Sequence, residues 1–432
     1  MLDIRFIREH PDRVKEAAAQ KGYDIDIDKL LVLEDERRKL NAHMDELRAA
    51  RNANADAMKQ AGKPDPAIIA EGKRLKTEIA EHEAAMTELD PAFLELWRSV
   101  PNVALDMVPI GRTEDDNIVA KTWGEKPIFN HMVKSHFEIA EAKDWIDKER
   151  AAKIAGARFA YLKGDLVRLE MALWNYGMDV LSSRETLRTI IDANGLDGVS
   201  DQPFTPIIPP AVARTDVFLA TGRLNRQEQT YKLEDEDLWL NASAEHTMAP
   251  MYMNEILSEA QLPLRLVGYT TAFRREAGTY GKDAEGIFRL HQFNKLEMES
   301  FTTAKDGLNE HLFMVAIQEY LMERLGLPYQ TIEKCTADIG RPNAKGVDLN
   351  VWLPGQDAYR ETHTADYIGD YQARAMKTRV RTNEGVELAH TNDATVFSER
   401  PLVAIIENFQ TPDGDVVIPE VLRPYMGGRG LI

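Results

Sequence analysis

The chain has 432 residues, 44% of them hydrophobic, and carries a formal net charge of −18 at pH 7. This length predicts two or more domains, and the negative charge argues against diffuse binding of nucleic acid over the whole surface. No apolar run reaches about 18 residues and the N-terminus lacks the apolar stretch of a signal peptide, so we expect no membrane span. The single cysteine, Cys335, excludes an intrachain disulfide and a cysteine-rich zinc site and favours a cytoplasmic setting.

The N-terminal quarter of the chain carries helical patterns. Residues 1 to 20 have the spacing of one short amphipathic helix. Beyond it, apolar residues recur at coiled-coil spacing in two segments, separated by a break that includes Pro64 and Pro66. The first segment carries Leu30, Leu33, Leu40, Met44 and Leu47, and the second carries Ile68, Leu75, Ile79, Met86, Leu89 and Phe93. We therefore predict an antiparallel α-helical coiled-coil arm within residues 1–105.

The charge of this arm differs from that of the whole chain. From Arg37 to Lys76, ten basic and five acidic side chains give a net charge of +5. Such a local patch is a candidate RNA-binding surface, although the charge pattern by itself favours a solvated coiled-coil face. The candidate RNA-binding side chains are Arg37, Arg38, Arg48, Arg51, Lys73 and Arg74.

Two amphipathic strands are predicted further along the chain, and one face of them carries charged and aromatic side chains. The first begins at Leu264 and ends in Arg274 and Glu276, and the second runs from Phe288 to Met298. In the second strand, Arg289, Phe293 and Glu297 share one face. Arginines suit phosphates, an aromatic ring suits a base and a carboxylate suits an ammonium. A solvated sheet face with surface ion pairs is the alternative.

The loop between these strands contains Gly278, Gly281 and Gly286 and is longer than a tight hairpin requires. Loops of this length often close over ligands, so we expect this one to cover a bound substrate.

At these strands the sequence resembles a known family. FRREAG (residues 273–278) followed by RLHQFNKLEM (residues 289–298) is similar to motif 2 of the class II aminoacyl-tRNA synthetases, in the version of the seryl-tRNA synthetases. TPIIPPAVAR (residues 205–214), an apolar strand stopped by Pro209 and Pro210, resembles motif 1, the dimerisation element. ERPLVAIIENFQ (residues 399–410), in which Leu402, Ile405, Ile406 and Phe409 form a helical stripe, resembles motif 3. The resemblance runs from residue 1 to about residue 428, with the three motifs in order.

The resemblance implies an α+β fold, in which an antiparallel sheet flanked by helices follows the N-terminal coiled-coil arm. The catalytic domain would span residues 106–432 and form a homodimer. In this family the arm grips the long variable arm of the tRNA. The implied partners are therefore L-serine, ATP and tRNA(Ser), with tRNA(Sec) left open as a second acceptor.

The resemblance also assigns the site. ATP would be bound by Arg274, Glu276, Arg289, Phe293, Glu361, Thr364 and Arg400, with Mg²⁺ held by Glu361 and Thr364. Serine would be bound by Ser243, Glu245, Arg274, Glu297, Ala394 and Thr395. The implied reaction has two steps: the serine carboxylate attacks the α-phosphorus of ATP, and the seryl adenylate then acylates the terminal ribose of the tRNA. Arg274 and Arg289 are the implied catalytic residues, because they neutralise the phosphates.

The sequence departs from the family pattern at several positions. Ser243 replaces a threonine, Asn350 stands where an acid is frequent, and Glu285 falls in the motif 2 loop. Ala394 stands where the family usually places a serine or threonine that contacts the substrate hydroxyl, and Thr395 is next to it.

Two other functions are compatible with parts of this pattern. One is a paralogue that activates an amino acid for a carrier protein, which would be expected to lack the tRNA arm. The other is a non-catalytic dimeric RNA-binding scaffold, in which Arg274, Glu276, Glu361 or Arg400 would be lost. This chain keeps the arm and all four residues.

Overall fold

The computed structural model describes residues 1–60, 65–224, 227–276 and 286–432. Pro64 of the predicted break, and Gly278, Gly281 and Glu285 of the motif 2 loop, lie outside the described residues, whereas Pro66 of the break begins a helix. The chain forms two compact units, Leu2–Pro101 and Asn102–Ile432, the latter together with Met1. No helix of the described residues is long and apolar enough to cross a membrane.

The helices are α1 (Ile4–Glu9), α2 (Pro11–Gln20), α3 (Ile27–Gln60), α4 (Pro66–Ser99), α5 (His136–Ala142), α6 (Lys148–Ala155), α7 (Asp165–Ser182), α8 (Arg184–Ala193), α9 (Thr215–Thr221), α10 (Glu245–Met248), α11 (Gly307–Leu325), α12 (Tyr371–Met376) and α13 (Arg400–Asn408).

The strands are β1 (Ile118–Trp123), β2 (Ile146–Asp147), β3 (Tyr161–Leu162), β4 (Thr205–Ile207), β5 (Val212–Arg214), β6 (Leu238–Leu240), β7 (Ile256–Ser258), β8 (Leu264–Phe273), β9 (Gln292–Thr302), β10 (Tyr329–Glu333), β11 (Lys345–Leu353), β12 (Ala358–Gly369), β13 (Arg379–Arg381), β14 (Val386–Leu388) and β15 (His390–Ser398).

The N-terminal unit contains the predicted antiparallel hairpin of α3 and α4. Met44, Leu47, Leu75 and Ile79 are buried together between the two helices. The contacts between the helices have antiparallel order. Arg37, in the first half of α3, pairs with Asp90 in the second half of α4 (2.7 Å). The Asn54 amide, near the end of α3, donates to the Ile68 carbonyl near the start of α4 (3.2 Å). The heptad pattern therefore predicted this element correctly.

The prediction of one helix over residues 1–20 was wrong, because two helices occupy that segment. The α1 helix ends at Glu9, and α2 begins at Pro11. Proline has no backbone N–H to donate to a preceding turn, so it ends one helix and is accommodated in the first position of the next.

The larger unit is built on an eight-stranded sheet in the order β1-β10-β11-β12-β15-β9-β8-β4. Its neighbours are antiparallel except for β4, which runs parallel to β8. The β4 strand ends at Ile207, two residues before Pro209, as the paired prolines predicted. An antiparallel sheet flanked by helices confirms the predicted fold class.

One face of this sheet forms the hydrophobic core, and the other carries the polar site. Apolar residues of α7, α11 and α13 pack with Leu296, Met298, Ala394 and Val396 of the central strands. On the opposite face, α10 packs directly on β8, since a side chain at Gly268 would collide with Met248. Leu402, Ile405 and Ile406 of the predicted α13 stripe are buried, as expected for a core helix, whereas Phe409 follows the helix and is partly buried.

The two motif 2 strands are shorter than predicted. The β8 strand ends at Phe273 and β9 begins at Gln292, so Arg274, Glu276 and Arg289 lie outside the ladder. The predicted placement of these three side chains on one strand face by two-residue spacing is therefore wrong. Glu276 has a positive φ of 46°, which is not a strand conformation. The last paired residues of the ladder are Phe273 and Gln292, and one further backbone hydrogen bond joins the Arg274 N–H to the His291 carbonyl (2.9 Å).

Candidate active site

A polar cavity opens on the non-core face of the sheet, above β9, β12 and β15. The residues proposed for ATP all line it: Arg274, Glu276, Arg289, Phe293, Glu361, Thr364 and Arg400. Also among its lining residues are Phe288, Lys295, Thr362, Thr395, Ser398 and Glu399. The fold thus brings together residues that are separated by more than a hundred positions in the sequence.

Arg274 directly follows the end of β8 and is held by two hydrogen bonds. Its backbone N–H donates to the His291 carbonyl (2.9 Å), and its Nε donates to the Ala242 carbonyl (3.1 Å). The guanidinium lies over the Phe293 ring, 5.1 Å from the ring centroid. Arg289 forms an ion pair with Glu276 (3.4 Å). Two arginines and an aromatic ring therefore line the same cavity, as phosphate and base recognition require.

Arg400 approaches the same cavity from the start of α13. Its Nη1 lies 3.0 Å from the Glu361 carboxylate and donates to the Glu361 backbone carbonyl (2.8 Å). Its guanidinium lies over Phe288, 4.9 Å from the ring centroid, and not over Phe293. Phe288, which strand alternation would place on the face opposite to Arg289, is buried, yet it also lines the cavity.

Glu361 and Thr364 reach the cavity together because of a β-bulge. Strict alternation would point residues three positions apart to opposite faces of β12. The register with β11 shifts by one, with His363 opposite Leu349 and Glu361 opposite Asn350, so Thr362 is the extra residue. A bulge of this kind re-aims the side chains on one side of it.

Buried Gln318 of α11 supports this irregular backbone. Its amide donates to the Thr364 carbonyl and to the Thr395 carbonyl, each at 2.8 Å. The second contact lies beside another register shift, between Thr395 and Phe397 on β15. Gln318 therefore satisfies carbonyls on two strands whose ladder is interrupted.

Glu361 is suited to a hard cation. Its side chain is 51% exposed, and it reaches the same cavity as the Thr364 hydroxyl. Desolvation opposes ionisation of this carboxyl, but Arg400 and Lys334 outweigh it and lower its pKa to about 2. No cluster of three ligating side chains occurs within the described ranges, so phosphate and water oxygens would have to complete the coordination of a magnesium ion.

A second set of residues lies behind the cavity, under α10. Ser243 Oγ donates to Glu297 Oε1 (3.0 Å), and Thr395 Oγ1 donates weakly to the same oxygen (3.4 Å). The Lys295 ammonium forms an ion pair with Glu297 and donates to Ser243 Oγ (3.1 Å). Burial lowers the pKa of Lys295 to about 8, against the opposing effect of the Glu245 carboxylate.

Ala394 does not reach this site. It is opposite Met298 in the β9–β15 ladder, and its side chain is part of the hydrophobic core. Thr395, opposite Glu297, is the residue that lines the cavity. Of the two adjacent positions predicted to contact the substrate hydroxyl, the structure therefore brings only Thr395 to the polar face.

A row of acidic side chains crosses the sheet next to Glu297. Asp366, Asp393 and Glu299 are direct cross-strand neighbours, and Asp393 forms an ion pair with Arg223. Burial raises the pKa of Asp393 to about 7, despite Arg223. Burial, and then the negative charge of Asp393, raise the pKa of Glu299 well above its usual range. Protonation thus relieves repulsion between adjacent carboxylates.

Two family models match separate parts of the chain. Residues 1–104 match the family model for the seryl-tRNA synthetase N-terminal domain, and residues 230–409 match that for the tRNA synthetase class II core domain (G, H, P, S and T). The chain is 37% identical over 437 residues to the serine–tRNA ligase of Thermodesulfovibrio yellowstonii, covering 99% of both chains. It is also 37% identical to that of Deinococcus radiodurans, covering 100% of this chain and 99% of the relative.

The chain belongs to the seryl-tRNA synthetase family. It is therefore a class II aminoacyl-tRNA synthetase and a serine–tRNA ligase. Among solved structures, the seryl-tRNA synthetase from Pyrococcus horikoshii complexed with ATP matches with a TM-score of 0.85 at 33% identity, covering 100% of this chain and 99% of that one. The cytoplasmic serine–tRNA ligase from Naegleria fowleri in complex with AMP matches with a TM-score of 0.82 at 26% identity, covering 100% and 98%.

The candidate tRNA-binding residues of the synthetase arm differ in how they are held. Arg37 is paired with Asp90, and Arg38 with Asp35 (2.8 Å). Arg74 contacts both Glu71 and Glu78 at 2.6 Å, whereas Arg48 lies 4.0 Å from Asp45 and Glu83. Arg51 and Lys73 are exposed. The arm therefore presents arginines whose charge is partly neutralised within the hairpin.

Sequence reasoning missed Lys295, Phe288 and Gln318 as site residues. Lys295 was detectable, since two-residue spacing places it on the same strand face as Phe293 and Glu297. Phe288 carried no such signal, because its apolar character fits a core position equally well. Gln318 acts through a helix on the core side of the sheet, and its sequence surroundings do not distinguish it from a surface glutamine.

Proposed function

We propose that this enzyme ligates L-serine to tRNA(Ser) in the cytoplasm through a seryl-adenylate intermediate. The observation that carries the proposal is the single cavity into which Arg274, Arg289, Glu361 and Arg400 all project, with Glu297 directly behind it. The ATP in the Pyrococcus relative and the AMP in the Naegleria relative support ATP as the nucleotide.

In this mechanism Arg274 and Arg289 bind the phosphates, and Phe293 and Arg400 hold the adenine between a ring and a planar cation. Glu276, which pairs with Arg289, keeps that arginine oriented toward the nucleotide. Glu361 and Thr364 would hold Mg²⁺, which supplies charge neutralisation on the phosphates when bound.

The serine subsite uses the residues behind the cavity. Glu297 binds the ammonium, Arg274 orients the carboxylate, and Ser243, Glu245 and Thr395 surround the side-chain hydroxyl. Catalysis then requires positioning and electrostatic stabilisation, since the carboxylate of serine is itself the nucleophile.

The test of activation is pyrophosphate exchange with serine, threonine, alanine and glycine, followed by charging of tRNA(Ser) and tRNA(Sec) transcripts. We expect exchange that depends on serine, and charging of tRNA(Ser). Arg274→Ala should abolish exchange. Preference for another amino acid would refute the serine assignment. The charging assay with tRNA(Sec) tests whether that tRNA is a second acceptor.

We also propose a homodimer that forms at the edge of the sheet. Support comes from an apolar groove beside β4, lined by Met171, Trp174, Met178, Ile207, Ile208 and Tyr269. Ile208 is 86% exposed there, in the segment that resembles the dimerisation motif. An exposed apolar patch of this kind is typical of a subunit interface. Ile208→Asp should shift the mass measured by light scattering toward the monomer, and an unchanged dimer would contradict the proposal.

A further inference from the structure

The cavity ends at Lys295 and Thr395, and the carboxylate proposed to bind the substrate ammonium lies behind them. Lys295 and Thr395 line the cavity, whereas Ser243, Glu245 and Glu297 do not. The side chains of Lys295 and Glu297 are only 9% and 2% exposed. An incoming amino acid therefore meets the lysine before it meets Glu297.

The Lys295 ammonium occupies the contacts that a substrate ammonium needs. It pairs with Glu297 and donates to Ser243 Oγ at 3.1 Å, while Ser243 itself donates to Glu297 Oε1. A primary alkylammonium is also the group by which a free amino acid would bind there. Glu297 Oε2 is buried and makes no hydrogen bond within the described residues, so the carboxylate still has acceptor capacity.

We infer that Lys295 holds the ammonium subsite closed until an amino acid displaces it, and that the displaced lysine then pairs with the carboxylate of that amino acid. This inference rests on the proposed function and adds a specificity-determining residue to it. Lysine suits the role, because its flexible four-carbon stem can move the ammonium by a few ångströms without a change in the backbone.

The charge balance explains why only a zwitterion would fit. A buried cation that loses its partner is costly unless a new counter-charge replaces it. The carboxylate of an amino acid provides that counter-charge, and its ammonium takes over Glu297. A ligand that has the ammonium and the hydroxyl but no carboxylate would leave Lys295 buried and unpaired, so it should bind poorly.

The test compares L-serine with serinol, in which a hydroxymethyl group replaces the carboxylate. Dissociation constants are measured by calorimetry on the full-length enzyme at neutral pH with a non-hydrolysable ATP analogue, for wild type, Lys295→Met and Lys295→Gln. The glutamine variant keeps a hydrogen-bond donor for Glu297 if the methionine variant folds poorly. Lys345→Met is the matched control, since Lys345 is also buried but pairs with Glu333, away from the residues that line the cavity.

We expect wild type to prefer serine strongly and both Lys295 variants to bind serinol roughly 10-fold or more tightly than wild type does, so that the preference shrinks. If Lys295 had a merely structural role, replacing it would not improve serinol binding. If wild type binds serine and the preference is unchanged in the Lys295 variants, the inference fails while the proposed function stands. If wild type binds no serine, the proposed function fails and this inference with it.

Discussion

Arg400 contributes a planar surface as well as a charge. Its guanidinium lies 4.9 Å from the Phe288 centroid at the edge of the cavity. Lysine has no planar group to stack on the adenine, so we expect Arg400→Lys to lose about 1–2 kcal/mol of ATP binding free energy. Calorimetric titration with ATP measures it.

Arg360→Lys is the matched control for this change. Arg360 lies over the same ring at 4.6 Å but does not line the cavity. Its substitution should leave ATP affinity unchanged. Equal ATP affinity in Arg400→Lys and wild type would remove Arg400 from the adenine site.

Glu299 gives the stability of the enzyme a pH dependence. Its pKa is raised well above the ordinary value of 4.5, first by burial and then by Asp393. The folded state therefore keeps a proton that the unfolded state releases, and the free energy of unfolding falls as pH rises above about 4.5. Glutamine does not titrate, so Glu299→Gln should stabilise the protein by roughly 1–3 kcal/mol at about pH 7, and by little at about pH 4.5.

Urea denaturation of both proteins across this pH range measures the difference. The exposed Glu387→Gln serves as control and should change the unfolding free energy by little at any pH. A stabilisation by Glu299→Gln that does not grow with pH would show that Glu299 is ionised in the folded protein.

At the scale of secondary structure, Gln318 links a core helix to the two irregular strands of the site. Gln318→Leu removes the donor to the Thr364 and Thr395 carbonyls, which would then be buried without that partner. We expect a loss of about 1–3 kcal/mol in unfolding free energy, with a fall in kcat/KM for pyrophosphate exchange as the two threonines shift.

Met314→Leu, on the same helix and buried in the core, is the control and should cost less than about 1.5 kcal/mol with exchange unaffected. Unchanged exchange in a destabilised Gln318→Leu would show that the bulges keep their geometry without the amide.

Elements with a strong local pattern could be predicted from the sequence. The α3–α4 hairpin follows from heptads, the end of β4 from paired prolines and the buried face of α13 from helical spacing. Each depends on interactions between residues close in sequence, which a pattern records directly.

The geometry of the site could not be read from alternation. The placement of Glu361 and Thr364 on one face depends on the unpaired Thr362, and the residue types around it do not signal a bulge. The same holds for Ala394 and Thr395, where only the ladder with β9 decides which residue faces the core. Arg274 and Arg289 reach the same cavity from beyond the paired ends of β8 and β9, where strand periodicity no longer describes the chain.

At the scale of the whole molecule, the arm and the cavity belong to different compact units. The arm residues lie in Leu2–Pro101, whereas every residue that lines the cavity lies in Asn102–Ile432. We expect replacement of residues 35–86 by a short turn to leave serine-dependent pyrophosphate exchange within a few-fold while tRNA charging collapses. Steady-state kinetics of both reactions on the same preparation provide the measurement.

Arg51→Ala with Lys73→Ala is a smaller change in the same surface. It should weaken tRNA binding and reduce its salt dependence, because fewer phosphate contacts release fewer counterions. If tRNA charging is unchanged when residues 35–86 are replaced by a short turn, tRNA binding belongs to another part of the enzyme.

The single cysteine has a practical consequence for spectroscopy. Cys335 is fully buried, and its sulfur packs so closely on Gly111 that a side chain at that glycine would collide with it. A thiol-reactive dye should therefore leave the native protein unlabelled, without any need to remove Cys335. A cysteine introduced by Lys76→Cys at an exposed position would then be the reactive thiol of each chain, so a single dye there would report tRNA binding to the arm.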